Sequence, residues 1–103
     1  MEFIETSIFT KLSKSLLKDD ELHQVQMTLS LYPAMGQVIP HSGGLRKLRW
    51  VSGSKGKRGG LRIIYYWMTK DEQIYLLYAY AKSKQEDLTP EQIKILKNLM
   101  QEE

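Results

Sequence analysis

Lys47 and Arg49 stand two residues apart in GGLRKLRW (43–50), and Arg62 is the one charged side chain in the apolar run LRIIYYWM (61–68). If both stretches are strands, successive side chains point to opposite faces, so Lys47 and Arg49 share one face while Leu48 and Trp50 share the other. A guanidinium keeps its charge at any working pH and forks onto two oxygens at once, whereas a lysine amine is a compact charge that can also release a proton. Cations of both kinds on one sheet face are suited to gripping a phosphate and managing a proton beside it.

The surroundings reinforce this. Between Glu21 and Asp71 lie 49 residues without an acidic side chain, and within them stand Arg46, Lys47, Arg49, Lys55, Lys57, Arg58, Arg62 and Lys70. A surface built only for solubility mixes both signs, so a single-signed stretch of this length points to a polyanionic partner. The net charge of +3 and pI near 9.1 understate the local field, because the acids sit outside the stretch. The bland reading is a solvated basic hairpin, and a non-catalytic module that binds nucleic acid or a protein partner explains the charge gap equally well. A helix-turn-helix DNA binder fits less well, since these cations lie on strands and a turn and not on a recognition helix.

Composition limits the alternatives. A chain of 103 residues is read as a single domain, 1–103, with one modest core. With no cysteine, disulfide and thiol chemistry are excluded, and a reducing cytoplasm is the simplest location. His23 and His41 are the only histidines, too few with no cysteine for a usual ligand set, so neither a metal nor another cofactor is expected. No run approaches the roughly 20 apolar residues that cross a bilayer, so no membrane partner is expected.

The elements that must position the cations follow from periodicity. MEFIE reads as a first strand, with Thr6 capping a helix whose Ile8, Phe9, Leu12 and Leu16 recur at helical spacing. Asp19, Asp20 and Glu21 favour the start of a second helix carrying Leu22, Val25, Leu29 and Tyr32, which must stop near Pro33. Residues 33–44 are expected to be an irregular connection packed down by Met35, Val38 and Ile39. The basic strand 45–51, a glycine-rich turn and the strand 61–68 then form a hairpin, and QIYLLYAYA (73–81) adds a third strand on which Tyr78 and Tyr80 share a face. Lys82 and Lys84 continue that alternation if the strand persists. Thr89 to Gln92 is a capping box with Pro90 at the first helical position and a Leu88/Ile93 staple, opening a helix with Ile93, Leu96, Leu99 and Met100 on its apolar side. The order β-α-α-β-β-β-α predicts an α+β fold with a small, mainly antiparallel sheet, helices packed on one face and the other left to carry the cations. Trp50, Tyr65, Tyr66 and Trp67 could stack on bases, but in strands this apolar most are expected to pack the core.

Through GGLRKLRW, KGKRGGLRIIYY, and the strand ending YAYAKSK followed by DLT, the chain resembles the RelE superfamily of toxins from type II toxin–antitoxin pairs, and most closely its HigB-like branch. The resemblance covers nearly the whole length. It implies a fold like that of the microbial ribonucleases, cleavage of mRNA in the ribosomal A site, and a HigA-like helix-turn-helix antitoxin as partner. Carried over by position, the family's basic pair falls on Lys47 and Arg49, its arginine on Arg62, and its basic residue at the end of the last strand on Lys82 or Lys84. The family's C-terminal tyrosine has no counterpart in sequence, which leaves Tyr80 or Tyr78 as candidates. RNA cleavage by its own 2′-hydroxyl needs that hydroxyl deprotonated, charge on the phosphoryl oxygens stabilised, and the leaving 5′-oxygen protonated. The expected roles are Lys47 as base or its assistant with neighbouring cations favouring its neutral form, Arg49 and Arg62 on the phosphate, and Lys82 at the leaving group. Arg46, Lys55, Lys57, Arg58, Lys84 and Tyr80 are expected to contact message or ribosomal RNA.

Overall fold

The computed structural model describes residues 1–51 and 60–101. The elements run β1 (Glu2–Glu5), α1 (Ser7–Leu16), α2 (Asp19–Leu31), β2 (Gln37–Val38), β3 (Arg46–Trp50), β4 (Leu61–Met68), β5 (Gln73–Ala81) and α3 (Pro90–Gln101). They form a five-stranded sheet in the order β1-β5-β4-β3-β2, with β1 parallel to β5 and every other pair antiparallel. This is the α+β fold expected. The expected turn around Lys55, Lys57 and Arg58 lies outside the described residues.

The local signals act where the sequence puts them. Thr6 Oγ1 accepts the Phe9 N–H at 3.0 Å, capping α1, while its own hydroxyl donates to the Leu77 carbonyl at 2.9 Å and so pins the helix start to β5. The start of α2 is satisfied differently: Lys18 is its N-cap, and the Lys18 N–H donates to the Glu21 carboxylate. At α3 the capping box forms in both directions, Gln92 N–H to Thr89 Oγ1 at 3.1 Å and Thr89 N–H to Gln92 Oε1 at 3.0 Å.

The helices do not share one face, which corrects the sequence reading. Phe9 and Leu17, with Val25 and Leu29 of α2, pack on Leu48, Leu61, Ile63, Tyr65, Ile74, Leu76 and Ala79. Leu96 and Met100 of α3 pack with Leu45, Ile64, Leu77 and Tyr80 on the opposite side. The reason lies in β4, where all of residues 61–65 are buried: a run apolar on both faces needs a cover on each.

A bulge in β5 sets which residues those faces carry. Tyr65 pairs with Leu76 but Ile64 pairs with Tyr78, leaving Leu77 as an extra residue. Leu76 and Leu77 are thus both buried, on opposite sides, and Tyr78 and Tyr80 move to the α3 side. Under strict alternation they would follow Ile74 and Leu76 into the core beneath α1 and α2.

Residues 33–44 differ from expectation in two ways. They supply a short edge strand, β2, and Met35 and Val38 are more than half exposed, so only Ile39 packs down. What holds the connection is Tyr65, whose hydroxyl donates to the Pro33 carbonyl at 2.7 Å and accepts the Gly36 N–H at 2.8 Å. Gly36 admits no larger residue there, because a Cβ would stand 2.7 Å from Tyr65 Cε1. Tyr65→Phe leaves a buried N–H without a partner and is expected to lower the unfolding free energy by about 1–3 kcal/mol; equilibrium urea unfolding measures it, and an unchanged midpoint would remove Tyr65 as the anchor of this segment.

Candidate functional site

The register assembles two rows across the α3 side of the sheet. Arg49 pairs with Arg62, and Arg62 pairs with Tyr80, which gives the row Arg49, Arg62, Tyr80 over β3, β4 and β5. Beside it Gln37 pairs with Lys47, Lys47 with Ile64, and Ile64 with Tyr78. Lys47, Arg49, Arg62 and Tyr80 therefore share one patch. Direct cross-strand neighbours of like charge are destabilising, so placing Arg49 opposite Arg62 concentrates positive potential where an anion would be welcome.

The members differ in exposure. Arg49 is exposed, Lys47 is half-buried, and Arg62 is only 6% exposed, its guanidinium Nη1 donating to the Leu61 carbonyl at 3.2 Å. The Tyr80 ring is buried and its hydroxyl has no hydrogen-bond partner among the described residues. Burial chiefly, and then the charge of Asp87, push the Tyr80 hydroxyl above its ordinary value, with Arg62 opposing and Tyr78 adding a little. Tyr80 is thus held as a neutral O–H donor. Tyr78 lies beside it with ring centroids 6.1 Å apart.

Asp87 was not among the sequence candidates. Sitting in the loop between β5 and α3, it meets Lys47 Nζ at 3.0 Å across 40 positions of chain, so the basic strip contains a carboxylate after all. Lys47 is therefore not surrounded by cations alone, as the sequence reading had it. The one sequence signal for Asp87 is its place in the DLT stretch that carries the family resemblance, and no role for Asp87 follows from that stretch. Its hydrogen bond from Lys47 is the largest cause holding the carboxyl below the usual 3.8, with Leu88 N–H and Lys82 helping and desolvation opposing.

The other predicted residues are placed as follows. Lys82 and Lys84 lie past the end of β5 in a turn, so neither continues the strand alternation; Lys82 N–H donates to the Gly60 carbonyl and Lys84 N–H to that of Ala81. Lys82 is close enough to Asp87 to lower its carboxyl. Arg46 occupies the opposite face from Lys47 and Arg49, and its Nη1 donates to the Gly36 carbonyl at 2.8 Å and the Ala34 carbonyl at 3.3 Å, so it holds the 33–37 segment together with Tyr65. Lys55, Lys57 and Arg58 lie outside the described residues.

With its carboxyl lowered by folding, the Asp87 pair adds stability above the unfolded-state value and loses it as pH falls through the folded one. A carbon-detected NMR titration is expected to show Asp87 below 3.8 in the intact protein and moved up toward it in Lys47→Ala; an unmoved titration would mean that Lys47 does not control the carboxylate.

The comparisons with known proteins agree with this architecture. A family model described as the RelE toxin of the RelE/RelB toxin–antitoxin system matches residues 1–102. Among solved structures, the intact E. coli RelBE toxin–antitoxin complex contains a chain similar to this one with a TM-score of 0.58, at 11% sequence identity over 76% of this chain and 92% of that one. That identity speaks for the fold, and the family model speaks for descent. The chain belongs to the RelE toxin family of RelE/RelB toxin–antitoxin systems.

Proposed function

We propose that this protein is a ribosome-dependent mRNA endoribonuclease of the HigB-like branch, acting in the cytoplasm and restrained by a helix-turn-helix antitoxin of the HigA type. One observation carries the reading: Arg49, Arg62 and Tyr80 form a continuous cross-strand row with Lys47 beside it, a constellation able to hold a phosphodiester. A non-catalytic binding module would use the same cations. It gives no reason to keep a buried tyrosine hydroxyl inside the row without a hydrogen-bond partner among the described residues.

In the proposed reaction the 2′-hydroxyl attacks the adjacent phosphorus, the new 2′-O–P bond forms as the P–5′-O bond breaks, and a cyclic phosphate remains on the upstream product. Arg49 and Arg62 hold the nonbridging oxygens, where charge builds up in the transition state. The Tyr80 hydroxyl, kept protonated by its burial, donates to the same phosphoryl group once the side chains covering it yield to the entering phosphate. The 2′-hydroxyl proton passes to Lys47 in its neutral form, or to the Asp87 carboxylate while the Lys47 ammonium steadies the oxygen that the proton leaves. Lys82, at the end of β5, supplies the proton for the departing 5′-oxygen. No step is routed through a metal.

Such a set contains no strong general base, so alignment of the message must supply much of the rate, and fixing two reacting groups in line can be worth several kcal/mol. Cleavage is therefore expected on programmed ribosomes and to be poor on free RNA. In single-turnover cleavage of a defined message on ribosomes, Lys47→Ala and Arg62→Ala are each expected to lose about 10² or more in rate. Unchanged cleavage in Arg62→Ala would refute the phosphate site, and a small effect in Lys47→Ala would leave that residue a binding role only.

Tyr80→Phe separates chemistry from stability. Removing a buried hydroxyl that makes no hydrogen bond to the described residues should leave the urea midpoint unchanged or raise it, while the cleavage rate falls by about 10². A variant that is both stable and fully active would exclude Tyr80 from the reaction.

A further inference from the structure

Three cavities on the β2 side of the molecule follow one another, each sharing two lining residues with the next, Gln37 and Lys47 and then Pro40 and Ile93, and the series forms the candidate groove. The first, near 300 Å³, lies between Met35 and Arg49 and has Lys47 in its wall. A second of similar volume continues from Gln37 and Lys47 to Pro40 and Ile93. From those two residues a third, near 480 Å³, leads on to His41, Lys94 and Lys97 on α3. The reaction proposed above uses only the Arg49 and Lys47 end.

The far end has its own chemistry. Lys94 and Lys97 are three residues apart on α3 and thus neighbours on the helix surface, and no carboxylate lines this third cavity among the described residues. The aliphatic stem of Lys97 runs beside Gly43, where a Cβ would stand 3.4 Å from Lys97 Cγ, so the loop steers that amine. Between the two cationic ends Ile39, Pro40, Leu88 and Ile93 contribute apolar surface beside the polar Gln37 and Asp87. The one carboxylate on the way among the described residues, Asp87, is engaged by Lys47. Cations at intervals with apolar surface between them match a single nucleic-acid strand, whose phosphates recur along its length with ribose and base faces in between.

We propose that this groove is the track of single-stranded RNA, with Lys94 and Lys97 binding backbone phosphates a few nucleotides from the one held at Arg49 and Arg62. The inference rests on the reading that RNA is the substrate, and it extends the RNA-binding surface to α3. These lysines position the strand without reading its sequence, because the phosphate backbone carries no base information.

The test is binding without cleavage. A fluorescein-labelled 2′-O-methyl RNA 12-mer of mixed sequence, which lacks the attacking hydroxyl, is titrated by anisotropy at several salt concentrations. The unmodified protein is compared with Lys94→Ala/Lys97→Ala and with Lys11→Ala/Lys14→Ala, a pair of the same spacing and charge on exposed positions of α1. The α3 pair is expected to weaken binding about tenfold and to flatten the logarithmic salt dependence by about 1.4, or about 0.7 for each phosphate that the variant no longer neutralises. The α1 pair should change affinity less than twofold. Equal weakening in both pairs would reduce the effect to net charge and overturn the proposal, as would unchanged binding in the α3 pair or no binding by the unmodified protein. Tighter binding of a 12-base-pair RNA duplex through the same lysines, or of polyglutamate in place of RNA, would also overturn it, assigning the groove to a duplex or to an acidic protein partner. Since the probe cannot be cut, a protein that binds it through Lys94 and Lys97 yet spares message on ribosomes would refute the endoribonuclease reading and leave the groove standing.

Discussion

One extra residue in β5 is the constraint on which the rest of this molecule depends. Strict alternation from Ile74 and Leu76 would carry Tyr78 and Tyr80 into the core under α1 and α2, where Ala79 and Ala81 are found instead. The bulge at Leu77 reverses the parity, so two small residues face the helical hairpin and two tyrosines face the cations. The same bulge is held from outside, because the Thr6 hydroxyl that caps α1 also donates to the Leu77 carbonyl. The start of the chain thereby fixes the geometry of a site built from its middle and end.

The division of labour between the two faces follows from charge. On the α1 and α2 side nearly everything is apolar, and Arg46 spends its guanidinium on two backbone carbonyls. On the α3 side Arg49 opposes Arg62, so two like charges meet across neighbouring strands where, on the proposed reading, an anion would enter. Lys47 carries its own carboxylate in Asp87, whose side chain is 70% exposed.

Much of this was legible in the sequence, and the gaps have physical causes. β4, β5, the Thr6 cap and the Thr89 capping box were readable because each rests on local chemistry, a β-branched run or a side chain within three residues of its partner. The pairing of Lys47 and Arg49 on one face needed only a period of two. The placement of α3 was not readable: the buried run 61–65 shows that two covers are needed but not which helix supplies the second. Nor was β2, whose two residues pair with β3 although Val38 remains exposed. The bulge and the meeting of Asp87 with Lys47 were invisible for the same reason, since both depend on residues brought together by the fold and leave no mark on composition or spacing.

On the proposed reading, the row Arg49, Arg62, Tyr80 receives the scissile phosphate. The most direct measurement is the structure of this protein on a ribosome programmed with a message 2′-O-methylated at the cleavage position. A phosphate is expected within hydrogen-bond reach of the Arg62 guanidinium and the Tyr80 hydroxyl, with Lys47 beside the methylated oxygen. A message that passes the molecule without touching this side of the sheet would contradict it.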